Sequence, residues 1–239
     1  KFAKDDRWGM FPSAALAWRM SEEDFMKPAS DWLSNLKLRL SYGVTGNNAG
    51  VGPYDTQSLA NIKYYYNFGN SVANGYGYSM ANSELTWEKT TELNLGVDFG
   101  FFNNRISGSV DVYNKTSKDL LMEMDTPFEL GSATGSIYSN VGKVNNRGIE
   151  IQLNTVNYRN KDWNWETNFS FARNINEIKE LNGEKEDLVG NKWFIGQPID
   201  VIYGYKHLGI CTREQAQAYA QDATKKTKFT EGTMVVWDK

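Results

Sequence analysis

Residues able to do chemistry are sparse in this chain, and they do not assemble into a catalytic set. The one histidine, His207, stands four positions from the one cysteine, Cys211. Such a pair could begin a metal or thiolate site, but both need further ligands, and no third partner is specified. Glu184, Glu186 and Asp187 crowd one acidic run. Acid/base work on a substrate needs two carboxylates held on either side of the reacting bond, and this run reads instead as a solvated loop. The stretch Asn74-Gly-Tyr-Gly-Tyr lacks the spacing of a phosphate-binding loop. The chain is therefore expected not to be an enzyme and to carry no cofactor and no metal.

Binding chemistry is better represented. The stretch 43–91 carries Tyr54, Tyr64, Tyr65, Tyr66, Phe68, Tyr76 and Tyr78 among Asn61, Asn67, Asn70 and Asn74. Flat aromatic faces stack on apolar sugar or peptide surfaces, while phenol and amide groups hydrogen-bond. Tyr64, Tyr65, Tyr66, Tyr76 and Tyr78 are the candidate ligand contacts. The alternative is that these rings pack the loop on itself or on a partner protein.

Six segments that alternate apolar and polar side chains would position these groups: Met10–Arg19, Leu36–Tyr42, Glu92–Phe99, Ile106–Lys115, Ile149–Asn154 and Trp163–Phe171. A period of two marks strands with one apolar and one polar face. Their connections run shorter, long, short, long, short, long. In an up-and-down meander this puts every short turn at one end and every long loop at the other. Loops of that length are unusual in compact soluble domains and normal on the outer side of an outer-membrane barrel. Trp32, Phe99, Phe101, Phe102, Trp163 and Trp165 sit beside the shorter turns, as an interfacial girdle requires. The polar faces hold Glu92, Asp98, Asp111, Glu150 and Glu166, with Asn94, Ser109, Gln152 and Asn154. These are candidates to face a wet lumen. A soluble β-sandwich with one solvated face would satisfy the same pattern. One helix is expected over Arg213–Asp222, opened by a capping box of Thr212 and Gln215.

Composition fits strands and turns. The 239 residues hold 33 aromatic side chains (8 Trp, 13 Tyr, 12 Phe), 24 Asn and 21 Gly. The formal charge of −3 argues against nucleic acid as a partner. A mean hydropathy of −0.58 and the lack of a long apolar run exclude a transmembrane helix, but not membrane-crossing strands.

Several segments carry a resemblance. DDRWGMFPSAALAWRMSEEDF (Asp5–Phe25), LKLRLSYGVTGNN (Leu36–Asn48) and LTWEKTTELNLGVDFGFFNNRISGSVDVYNKTSKDLL (Leu85–Leu121) are followed by NVGKVNNRGIEIQLN (Asn140–Asn154) and GYKHLGI (Gly204–Ile210). In this order and spacing the chain resembles the SusC/RagA class of TonB-dependent outer-membrane transporters of Bacteroidetes. The resemblance implies an all-β, transmembrane, antiparallel up-and-down barrel of about 22 strands, of which about six lie here, with long extracellular loops and one short loop helix. Residues 1–239 would then be one part of the barrel domain, with plug, TonB box and closing strands outside it. Implied with the family are the bacterial outer membrane, its lipid bilayer, a SusD-like surface lipoprotein, the TonB–ExbBD complex acting through the plug, and import of oligosaccharides or peptides. A non-transporting β-barrel or a soluble β-sandwich binding or adhesion protein is the alternative.

Overall fold

The computed structural model describes residues 1–130, 135–204, 206–221, 232 and 234–237. The chain forms two units, Lys1–Ile199 and Asp200–Lys239.

The first unit is built on a six-stranded antiparallel sheet. Its strands are β1 (Ser13–Arg19), β2 (Leu33–Asn47), β5 (Glu88–Phe101), β6 (Ile106–Asp125), β7 (Ser136–Arg159) and β8 (Asn164–Glu180), in the spatial order β1-β2-β5-β6-β7-β8. Between β2 and β5 the chain makes a separate hairpin, β3 (Ala60–Phe68) with β4 (Ser71–Tyr78). The meander expected from the alternating segments is present, with every strand but β1 longer than its alternating segment.

Register sorts the side chains. Leu38 pairs with Val97, Val97 with Val110, and Val110 with Ile151, which pairs with Phe171. One step along, Arg39 pairs with Gly96, Gly96 with Asp111, and Asp111 with Glu150. Successive residues of a strand point to opposite faces, so one face is apolar and the other polar across all six strands. The apolar face stays open: Leu95 and Phe169 are each 53% exposed and Leu16 is 73% exposed. A sandwich would bury such residues under a second sheet.

Short connections gather at one end, over residues 20–32, 102–105 and 160–163. The turn after β5 holds Phe102, Asn103 and Asn104 at φ of 54°, 57° and 59°, a left-handed conformation that asparagine tolerates better than most residues. The connection after β1 contains two 3-10 turns, Met20–Glu22 and Asp24–Ala29. The aromatic residues converge at this end: Trp32 stacks on Phe101 with centroids 5.8 Å apart, and Phe99 lies 5.5 Å from Phe101.

At the other end the loops are less bare than the sequence suggests. The stretch 43–91 contains the β3–β4 hairpin, and most of the stretch 119–147 is strand, because β6 and β7 run on as a long ribbon. Beyond Lys118 the ribbon's two sides are polar or packed under loops, so alternation disappears there while backbone pairing continues. Asp119, at φ 57°, sits where the register of that ribbon shifts. Buried residues around the same ribbon form two clusters, one of Met122, Val144, Ile178 and Leu181 and one of Phe2, Val51 and Leu85.

In the second unit β9 (Lys206–Ile210) pairs antiparallel with β10 (Met234–Trp237), and α1 spans Arg213–Gln221. The capping box is formed: the Thr212 N–H donates to Gln215 Oε1 at 3.0 Å, and the Gln215 N–H to Thr212 Oγ1 at 3.3 Å.

Candidate functional site

Three neighbouring strands build an ion-pair cluster on the polar face. Arg39 of β2 donates from Nε to both carboxylate oxygens of Asp98 at 3.0 Å, and from Nη2 to Asp98 Oδ1 at 2.8 Å. The same Nη2 reaches Asp111 Oδ2 at 2.9 Å. The reach is possible because Gly96, between Arg39 and Asp111, presents no side chain. A planar guanidinium suits such a fork of two carboxylates better than an ammonium would; Lys37 Nζ approaches Asp98 only to 3.8 Å.

Next to this cluster opens a cavity of about 510 Å³. Glu92 and Asn94 of β5 line it with Asp111, Tyr113 and Lys115 of β6. Asn146 and Glu150 of β7 and Asn174 of β8 complete it. Lys115 Nζ lies 3.9 Å from Glu92 Oε2, Tyr113 Oη donates to Asn174 Oδ1 at 3.3 Å, and Asn174 Nδ2 donates to Asn146 Oδ1 at 3.3 Å. Asn94 Oδ1 and Asp111 Oδ1 are buried acceptors that no donor among the described residues reaches. Three carboxylates, three amides, a phenol and an ammonium can hold hydroxyls, amides or a cationic group.

Of the polar-face candidates, Glu92, Asn94, Asp111 and Glu150 meet at this cavity, and Asp98 lies in the adjoining cluster. Glu166 is elsewhere, at the short-turn end, where Arg159 Nη2 pairs with it and Asn164 Nδ2 donates to it at 3.1 Å. Arg39, Tyr113, Lys115, Asn146 and Asn174 were not among the candidates; only the register brings them to the site.

The tyrosine candidates lie on the β3–β4 hairpin and do not form one stack. Tyr65 pairs with Asn74, and Tyr76 and Tyr78 follow Asn74 at two-residue steps, so these three rings share one face. Tyr66 pairs with Ala73 on the other face. Tyr65, Tyr66, Tyr76 and Tyr78 are all exposed. The Tyr64 side chain lies outside the described residues, as does that of His207. Cys211 is buried, its Sγ 3.5 Å from the Thr212 carbonyl. Asp187 Oδ1 accepts the Ile195 N–H at 2.7 Å, which ties the acidic run to its own loop.

Known proteins match this architecture. A family model described as TonB dependent receptor-like, beta-barrel covers residues 1–209. A TonB-dependent receptor of Formosa agariphila is 36% identical over 228 residues, 95% of this chain and 21% of its own length. The TonB-dependent receptor SusC of Bacteroides thetaiotaomicron is 38% identical over 187 residues, 77% of this chain and 18% of its own length. Among solved structures, the RagAB peptide importer in its open-open state superposes with a TM-score of 0.74 at 34% identity, over 87% of this chain and 22% of that one. The chain thus spans about a fifth of the length of the relatives it matches. By sequence and by fold, it belongs to the TonB-dependent receptor β-barrel family of the bacterial outer membrane and represents part of the barrel region.

Proposed function

We propose that this chain forms part of the wall and outer loops of an active importer, which takes up glycan oligomers or peptides together with a SusD-like surface lipoprotein. Supporting this is one observation: a meander that segregates apolar from polar side chains strand after strand and keeps all its short turns at one end. A wall in lipid must satisfy every backbone polar group by strand pairing, and its polar face can then be hydrated from the lumen. Glu92, Asp98, Asp111, Glu150 and Glu166 face that lumen in this reading. The cavity around Glu92, Asp111 and Glu150 touches the passing substrate or the plug, and the hairpin tyrosines Tyr64, Tyr65, Tyr66, Tyr76 and Tyr78 meet substrate or lipoprotein outside the cell. Energy comes through the plug from TonB–ExbBD, and no chemical step is catalysed by this wall.

The peptide class is supported by similarity to the RagAB peptide importer, and the glycan class by the resemblance to SusC/RagA transporters alone. The test is uptake by the native bacterium. Deleting the gene should abolish accumulation of a labelled oligosaccharide or peptide, and disrupting TonB should do the same. Affinity purification of the full-length protein in detergent should bring down a lipoprotein. Recovery of the full-length protein as a monomer without detergent would sink the reading.

A further inference from the structure

Charge is unevenly distributed over the apolar face. Every carboxylate of the lumen reading points to the opposite side, and the apolar face carries cations collected at its long-loop end. Lys89 of β5 pairs directly with Lys118 of β6, and Lys118 pairs with Lys143 of β7. Three like charges therefore stand opposite one another on adjacent strands, about 4.8 Å apart at the backbone, an arrangement that is destabilising by itself. Below them on the same face are Arg147 and Arg173. Arg147 pairs with Ile175, and Arg173 with Ile149, so the two are diagonal neighbours. Lys118, Lys143, Arg147 and Arg173 are exposed, and Lys89 is partly so. Among the described residues none of the five makes a salt bridge. Glu177, a carboxylate on this face, is bound by Lys179 at 2.5 Å and also feels the charge of Arg147. Glu180 stands opposite Lys143 in the register without pairing with it.

The position of the row matters as much as its charge. Leu93, Val112 and Ile149 are the last residues of the apolar field on their strands, and on β8 Phe171 is followed on the same face by Arg173 and then Ile175. Arg147 and Arg173 follow one outward position beyond, and Lys89, Lys118 and Lys143 two or three. An apolar field that ends in a row of cations, with the three lysines free of salt bridges among the described residues, is complementary to a molecule with acyl chains and an anionic head.

We propose that Lys89, Lys118 and Lys143, with Arg147 and Arg173, bind the phosphate-bearing headgroups of anionic lipids at the outer rim of the barrel wall. The headgroup supplies the missing counter-charge, and its chains lie on the apolar face below. This rests on the reading of that face as lipid-facing.

The experiment places the full-length protein in nanodiscs of phosphatidylcholine doped with phosphatidylglycerol and counts retained lipids by native mass spectrometry. Wild type should retain phosphatidylglycerol over phosphatidylcholine by about three- to ten-fold, the scale of a few cations near an anionic surface. The triple variant Lys89→Gln, Lys118→Gln, Lys143→Gln should lose that preference. The triple Lys→Arg variant should keep it, and Lys161→Gln at the short-turn end should leave it unchanged. If the triple glutamine variant does not fold, Lys118→Gln alone, at the centre of the row, should lower the preference at least about two-fold. An unchanged preference in the glutamine variants overturns the proposal. So does its erasure by inorganic phosphate at matched ionic strength, which would mark a site for free anions. A full-length protein that does not enter the nanodisc would instead overturn the lipid-facing reading itself.

Discussion

Arg39 and Asp111 are two strands apart, yet their side chains meet at 2.9 Å across Gly96 of the strand between them. The contact ties β2, β5 and β6 together on the polar face, and it depends on a residue with no side chain. A Cβ placed on Gly96 would lie 2.7 Å from Arg39 Cζ and 2.5 Å from Asp111 Oδ1.

Gly96→Ala is therefore expected to part Arg39 from Asp111 at modest cost, because the atoms it meets are the ends of side chains that can swing away. The loss should be about 1 kcal/mol. Gly148→Ala should cost more, about 2–3 kcal/mol, because its Cβ would stand 2.6 Å from the Arg173 carbonyl oxygen, which is backbone and cannot step aside. Urea unfolding of the full-length barrel in lipid ranks the two; the reverse order would contradict this account.

Removing the guanidinium leaves Asp98 and Asp111 facing each other. Arg39→Ala should destabilise by about 1–2 kcal/mol, a value kept low because the side chains are a fifth to a third exposed. Adding Asp111→Asn should return part of the loss, and Arg39→Lys should behave nearer to alanine than to wild type, since an ammonium cannot span both carboxylates. Strict additivity of Arg39→Ala and Asp111→Asn in a double-mutant cycle would show that the two residues do not interact.

What could be read from the sequence followed where one face of a strand is apolar and the other polar. Leu93, Leu95, Val97 and Phe99 alternate with Glu92, Asn94, Gly96 and Asp98, and that stretch of β5 is legible. Beyond Lys118 both sides of the β6–β7 ribbon are polar or buried under loops, so the strand continues without a pattern to announce it. The β3–β4 hairpin did have a signal, the Gly69-Asn70 pair between two aromatic runs, with Gly69 at φ 70°, but the length of the surrounding loop obscured it. The candidate site was only half legible for a different reason. Glu92 and Asp111 could be assigned to a face, but that Arg39 joins Asp111, or that Asn174 joins Asn146, depends on register across strands tens of residues apart in sequence.

A second clamp holds the long-loop end. Asn140 accepts the Thr86 N–H at 2.9 Å and donates from Nδ2 to the Thr86 carbonyl at 3.0 Å and the Asp119 carbonyl at 2.7 Å. Asn140→Ala leaves three partly buried backbone groups without partners and should cost about 2–3 kcal/mol. Asn140→Asp should be worse, because it keeps the acceptor but sets a carboxylate against two carbonyl oxygens. Hydrogen exchange should quicken at residues 85–87, beside buried Leu85, before it does in the middle of β5. Equal protection in both variants would rule the clamp out.

The aromatic residues at the short-turn end give a depth marker. Trp18, Trp32, Trp163 and Trp165 are 46%, 48%, 74% and 65% exposed, beside turns that carry charged groups. Trp18 keeps its indole N–H on Glu23 Oε1 at 2.9 Å, so its polar edge points at the turn and its ring at the apolar face. Rings so oriented belong at the headgroup level of a bilayer. In liposomes with brominated lipids, tryptophan fluorescence of the full-length protein should fall most with bromines near the carbonyl region and least with bromines at the chain ends. Trp163→Ala and Trp165→Ala together should reduce the shallow quenching and leave the deep quenching unchanged. They should also lower stability in the bilayer by about 1–2 kcal/mol for each ring lost from the interface. Stronger quenching from the chain ends would place these residues inside the apolar band and would require the strands to sit deeper than their short turns allow.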